Sequence, residues 1–326
     1  MKVERVFLVD GKVRPIWRFF LSIPMVLLAM LVAQKAGAFV SGGLHQVEWG
    51  RFIWPSLFTL AALLAAYKVL TLALDRRPLG SVGLAFCGRW QVELGLGLGV
   101  GALMIAMVGV LERLLGAAQF SLNSAPPDRF AAWGAGALGM LFVAATNEEL
   151  VFRGYPFQRL ADSLGAAAAV ALFAGLFGLA HLGNPSRTWV STLNTMLVGI
   201  PLAVGYLRTR SLWLPVGLHF AWNFLQGFGL GLPVSGLGPP FSVLKARVSG
   251  SELLTGGSYG PEGSLLTTGV IAAATVYLSL SKRIYISEEM RLLVFGPTPV
   301  EAGSAEAVVS LQLPTEQTSV DRTDVK

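Results

Sequence analysis

Eight long apolar segments, separated by short polar connections, leave this chain few folds to choose from. They lie near residues 19–39, 53–74, 94–111, 130–147, 164–181, 189–207, 212–232 and 264–280. A bilayer crossing takes about 20 mostly apolar residues. Backbone groups in lipid must bond within the structure that carries them, which a helix achieves and an open sheet does not. The expectation is an all-α, polytopic integral membrane protein with about eight transmembrane helices. Charged residues make up only 13% of the chain, against about 25% in a soluble domain. The net charge of +6 carries no nucleic-acid signal, because the basic residues lie mainly between apolar segments and not in a patch with interleaved aromatics. Cys87 is the single cysteine, so no internal disulfide and no Cys-x-x-Cys zinc motif can form.

Lys and Arg alternate between connections. One set holds 15: Lys2, Arg5, Lys12, Arg14, Arg18; Arg76, Arg77, Arg89; Arg153, Arg159; Arg208, Arg210; and Lys282, Arg283, Arg291. The other holds 7: Lys35, Arg51, Arg113, Arg129, Arg187, Lys245 and Arg247. Cytoplasmic connections carry the excess, so both termini are placed in the cytoplasm, and the compact architecture suits a bacterial plasma (inner) membrane. Lys68 lies inside the second segment and is expected to snorkel or pair. The organisation expected is a cytoplasmic segment 1–18, transmembrane helices over 19–129, a functional core over 130–232, a Gly/Pro/Ser-rich outer loop over 233–263, a last helix with its basic flank over 264–291, and a disordered cytoplasmic tail over 292–326. Gly95, Gly97, Gly99 and Gly101 lie within an apolar run with no strand before them, so they read as helix packing and not as a dinucleotide loop.

Three polar signatures interrupt the apolar core: Glu148-Glu149-x-x-x-Arg153, Phe177-x-x-x-His181 and His219-x-x-x-Asn223. Ionisable groups at membrane depth are costly and mark function. On a helix, Glu148 and Glu149 point about 100° apart and serve different partners. Glu149 and Arg153 are spaced i,i+4 with the acid first, the favourable order for an ion pair. Arg153 can therefore neutralise Glu149 and leave Glu148 free to act as a base. The chain has three His, and two of them fall in these signatures; His45, in an outer loop, is assigned no role. If the fourth helix continues past the Glu pair to a turn near Leu164-Gly165, Glu148 lies 16 residues before Leu164 and His181 lies 17 after it. An antiparallel hairpin then sets the two at equal height, with its tip and the cavity opening toward the cytoplasm. Pro156 should kink the continued helix.

In this order on consecutive helices, the three signatures resemble those of the CPBP intramembrane proteases. This family, also called Abi, includes the Rce1-type CAAX prenyl endopeptidases and bacteriocin-processing or immunity proteins. The resemblance covers about residues 130–228, including Leu214-Pro215-Val216-Gly217-Leu218-His219. It implies an endopeptidase in which Glu148 and His181 activate a water, His219 and Asn223 hold the oxyanion, Glu149 and Arg153 support them, and Phe177 is a pocket wall. It implies a peptide or membrane-protein substrate, lipidated or not, and a lipid bilayer as partner, with no nucleic acid. No cofactor is favoured. If a metal is present, zinc on Glu148, His181 and His219 is the candidate set, although His-Glu-x-x-His is absent. The alternative function is a non-proteolytic membrane scaffold or immunity-type protein of the same fold. A proton-coupled transporter, a third reading, predicts internal repeats, and the sequence has none.

Overall fold

The computed structural model describes residues 4–9, 11–43 and 50–297. His45 and residues 298–326 of the expected tail lie outside the described residues. The helices are α1 Glu4–Phe7, α2 Pro15–Gly43, α3 Gly50–Leu70, α4 Trp90–Leu114, α5 Pro127–Arg153, α6 Tyr155–Leu164, α7 Ala166–Ala180, α8 Trp189–Thr209, α9 Trp213–Phe224, α10 Glu252–Thr255, α11 Leu265–Leu280 and α12 Glu288–Phe295. Two small antiparallel pairs accompany them: β1 Leu8–Val9 with β2 Lys12–Val13, and β3 Ala118–Leu122 with β4 Leu244–Val248.

A helix stands at each of the eight apolar segments. Among the described residues, five helical stretches are long and apolar enough to cross a membrane: Pro15–Gly42, Ile53–Asp75, Trp90–Leu114, Pro127–Leu164 and Trp189–Thr209. The other three fall short of a full crossing, at 15 residues in α7, 12 in α9 and 16 in α11. Single π turns, Thr71–Asp75 and Leu225–Gly229, extend α3 and α9. Large apolar side chains cover the outside as well as the core; Phe20, Leu27, Leu28 and Val32 of α2 are all exposed. A surface of this kind suits lipid and not water.

Three parts of the sequence reading differ in the structure. The first helix starts at Pro15, not at 19, because a proline at the first helical position forfeits no hydrogen bond. The tail begins only after α12: Ser287 caps that helix by accepting from the Met290 N–H, and Glu288 and Glu289 fill its first turn. The stretch 233–263 is no free loop, since β4 pairs with β3 along its whole length and Asn194 of α8 donates to the carbonyls of Glu262 and Ser264. Lys68 is exposed on the outside of α3.

The fourth helix does run on past the Glu pair, but with a break. Pro156 has no N–H for the Phe152 carbonyl, and its ring would crowd that oxygen. The chain therefore leaves helical geometry at Gly154 and restarts with Pro156 in the first turn of α6. Side chains take the carbonyls at the break: the Tyr67 hydroxyl donates to Leu150 O at 2.7 Å and the Gln158 amide to Arg153 O at 3.2 Å. A Cβ at position 154 would strike the Tyr67 ring. Gly165, at φ +89°, then turns the chain into α7.

The tightest helix contact is α4 on α9. A Cβ on Gly97 would collide with the Leu214 carbonyl and one on Gly101 with that of Leu218. Gly95 and Gly99 face open space, so two of the four glycines make the close approach.

The connections gather at two ends. At the basic end, Arg18 of α2 and Arg159 of α6 both reach Asp75, and Arg159 also pairs with Asp162 at 3.2 Å. The Trp213 indole donates there to Ala85 O, and the Arg89 guanidinium stacks 4.0 Å above the Tyr285 ring. The other end carries the β3–β4 pair, the 181–188 connection and the 230–264 segment.

Candidate active site

Glu148 and Glu149 occupy adjacent positions on α5 and have opposite environments. The Glu149 side chain is 0% exposed; its Oε1 accepts from the Arg153 guanidinium at 3.3 Å and from His219 Nδ1 at 2.9 Å. Arg153, 1% exposed, also donates to Gly199 O at 3.0 Å and lies 4.8 Å over the Phe177 ring. The Glu148 side chain is 36% exposed and faces a cavity. Its Oε2 makes no hydrogen bond with the protein. That oxygen stands 3.8 Å from His181 Nε2 and 3.7 Å from His219 Nε2.

The imidazoles are oriented from behind. His181 caps the end of α7, and its Nδ1 lies 2.7 Å from Phe177 O. A carbonyl only accepts, so Nδ1 carries the hydrogen and Nε2 points at Glu148 as an acceptor. On His219, six residues into α9, Nδ1 donates to the buried Glu149 and again leaves Nε2 toward Glu148. Phe177 is 3% exposed and packs against His181, His219 and Phe152. Asn223, one turn beyond His219, lines the same cavity. All seven residues singled out in the sequence thus fall in one region, on α5, α7, α9 and their ends.

The zinc set fares less well. Two ligands on bonds of 2.0–2.1 Å at a tetrahedral angle lie about 3.3–3.4 Å apart. The Glu148–imidazole separations exceed that, and no group of three or more His, Cys, Asp or Glu among the described residues is arranged to hold a metal ion. As placed, the three side chains stand wider apart than a zinc set, and no step below passes through a metal.

The cavity measures about 1150 Å³. Its wall is mainly apolar: Trp133, Met140 and Leu141 on α5, Trp222 and Phe228 on and after α9, and Phe241 from the 230–264 segment. It extends from Glu148 toward the β3–β4 end, where Leu237, Gly238 and Pro240 on its rim are exposed. The sequence reading placed the opening at the opposite end, with the α6 tip. That end is filled: Leu150 and Phe157 are 0% exposed, and Tyr206 is 1%. His219 is only about 9 Å from the start of α9, but side-chain packing blocks this shorter route.

Two further residues join the site unannounced by any motif. Glu262 lies on the cavity wall, where its Oε2 accepts the Ser235 N–H at 2.5 Å. Burial pushes its carboxyl above the usual range, while the Ser235 N–H and His181 oppose the shift. Asn194 is fully engaged, accepting from Thr268 Oγ1 while donating to the Glu262 and Ser264 carbonyls. A Gly/Pro-rich stretch and an amide inside an apolar helix gave no periodic signal for either.

Residues 131–225 match the family model described as Rce1-like, type II CAAX prenyl endopeptidase Rce1-like. Over this stretch, less than a third of its length, the chain is similar to that family. No curated protein and no solved structure matches the chain. The matched stretch holds both glutamates, Arg153, Phe177, both imidazoles and Asn223, and leaves out Glu262, the 230–264 segment and α2–α4. The family matched is one of endopeptidases. Together with the long apolar helices it marks a multi-pass membrane protein.

Proposed function

We propose that the protein is an intramembrane endopeptidase that hydrolyses a peptide bond with a water activated by Glu148 and His181. One observation carries this reading: a carboxylate oxygen with no protein hydrogen bond stands 3.7–3.8 Å from two imidazole nitrogens. Those gaps are too long for direct hydrogen bonds and suit one bridging water. Glu148 takes a proton from that water as its oxygen attacks the substrate carbonyl carbon, and later returns the proton to the leaving amine. The carbonyl oxygen becomes an oxyanion, stabilised by His219 and the Asn223 amide. Because His219 Nδ1 is committed to Glu149, its Nε2 donates only in the doubly protonated ring. Glu149 and Arg153 are positioning residues that fix that ring. The mainly apolar wall suits a peptide or membrane-protein segment, lipidated or not.

The test is cleavage of a quenched peptide library by the purified protein in detergent, with Glu148→Ala and His219→Ala, each with and without a chelator. Either substitution is expected to reduce cleavage by about 10²–10⁴-fold, and the chelator to change nothing. Cleavage that survives Glu148→Ala would overturn the assignment. Loss on chelation, restored by zinc, would reassign Glu148, His181 and His219 as ligands. No cleavage from folded protein would favour the scaffold or immunity-type role.

A further inference from the structure

The cavity and the charge of the connections select opposite ends of the bundle. Beyond Glu148, the cavity is lined by Ser41 near the end of α2, Trp133 in the first half of α5, Asn184 in the 181–188 connection and Leu237 in the 230–264 segment. All of these lie toward the β3–β4 end. On the other side of Glu148 the bundle is packed shut by Leu150, Arg153, Phe157 and Tyr206, each 0–1% exposed. The shut end belongs to the set that holds 15 Lys and Arg, 14 of them without the buried Arg153 of α5, and the open end to the set that holds 7. Lys and Arg accumulate in short cytoplasmic connections.

We infer that the cavity opens on the non-cytoplasmic face of the membrane and takes from there an internal segment of an exported or membrane-anchored polypeptide. That this segment is cleaved rests on the protease reading above; the sidedness does not. The wall's own charges agree with the kind of segment. Its ionisable groups are Glu148, Glu262, His181 and His219, and no Lys or Arg among the described residues lines it. A free C-terminal carboxylate therefore finds no Lys or Arg to pair with in the cavity and meets the side chains of two glutamates. A chain-internal segment with apolar side chains meets Trp133, Trp222, Phe228 and Phe241. By this route, a C-terminal tail displayed on the cytoplasmic face cannot reach Glu148.

Cysteine labelling in intact bacterial cells tests the sidedness without any need for cleavage. Cys87, the single native thiol, lies in a connection of the shut end and is partly exposed. Leu237, 64% exposed, lies on the cavity rim. Two proteins are compared: the native chain, and Cys87→Ser combined with Leu237→Cys. A membrane-impermeant maleimide is applied under mildly alkaline conditions, because burial raises the Cys87 thiol and the thiolate is the reacting form. The expected result is labelling of Leu237→Cys and not of Cys87 in intact cells, with the pattern reversed in inverted vesicles and both labelled in detergent. Labelling of Cys87 in intact cells overturns the inference. So does a Leu237→Cys thiol that reacts in detergent but not in intact cells. Sidedness that holds while peptide cleavage is absent would leave the topology standing and remove only the protease reading.

Discussion

Asp75 and Glu148 are both acidic residues within one apolar bundle, and the two ends of the bundle treat them in opposite ways. Asp75, at the basic end, sits between the guanidinium groups of Arg18 and Arg159 and ties α2, the π turn after α3 and α6 together. Glu148, facing the cavity, receives no hydrogen bond from the protein at Oε2, and its nearest partners stand 3.7–3.8 Å away. A buried charge whose partners are in place closes structure; a carboxylate held short of its partners has room for a reacting molecule. Glu149 shows that the difference comes from surroundings and not from residue type. One position along the same helix, it is fully buried and its Oε1 is held by Arg153 and His219, as Asp75 is held by its two arginines, although its Oε2 has no hydrogen-bond partner.

The largest effects follow from exchanging those treatments. Asp75→Asn leaves the buried Arg18 guanidinium without its anion and Arg159 with Asp162 alone, and should cost about 3–5 kcal/mol of stability, read from reversible unfolding in detergent. Glu148→Gln should leave the unfolding midpoint within about 0.5 kcal/mol of wild type while abolishing cleavage. Equal losses of stability from the two would end the distinction between the ends.

A smaller effect tests the packing that holds α9, and with it His219, in place. Gly101→Ala drives a methyl group into the Leu218 carbonyl, one residue before His219, and overpacking of this kind costs about 1–3 kcal/mol. Gly99→Ala, facing open space, should be neutral or slightly stabilising, since alanine is the better helix former. Thermal unfolding of the pair decides it.

The smallest effect concerns Glu262. Burial raises its carboxyl above the ordinary 4.5, so the native state holds a proton there that the unfolded chain has released. Its contribution is fully present below pH 4.5 and is lost as pH rises through the raised value. Glu262→Gln mimics the protonated form. The unfolding midpoint of wild type should therefore fall relative to Glu262→Gln on going from acidic to neutral pH. A constant difference across that range would show that Glu262 does not titrate in this way.

What the sequence determined is what short-range physics determines. Apolar runs of span length dictated helices at all eight segments, because a backbone in lipid has no other way to satisfy its hydrogen bonds. The i,i+4 spacings fixed which of the paired side chains share a helix face, and Pro156 announced the break that appears at Gly154. Even the meeting of Glu148 with His181 followed from counting residues on either side of Leu164, since an antiparallel hairpin converts sequence distance into height. The lengths of α7, α9 and α11 were less legible, because hydropathy does not distinguish a full crossing from a shorter helix beside a cavity. Tertiary structure alone decided which end of the bundle is filled. Leu150, Phe157, Tyr206 and Leu214 close one end only when α5, α6, α8 and α9 come together, and no residue's neighbours in sequence reveal that. It also decided that Glu262 reaches the cavity wall, through hydrogen bonds from Asn194 68 positions away. Local chemistry wrote the helices and the reactive groups; long-range packing chose the direction from which they are approached.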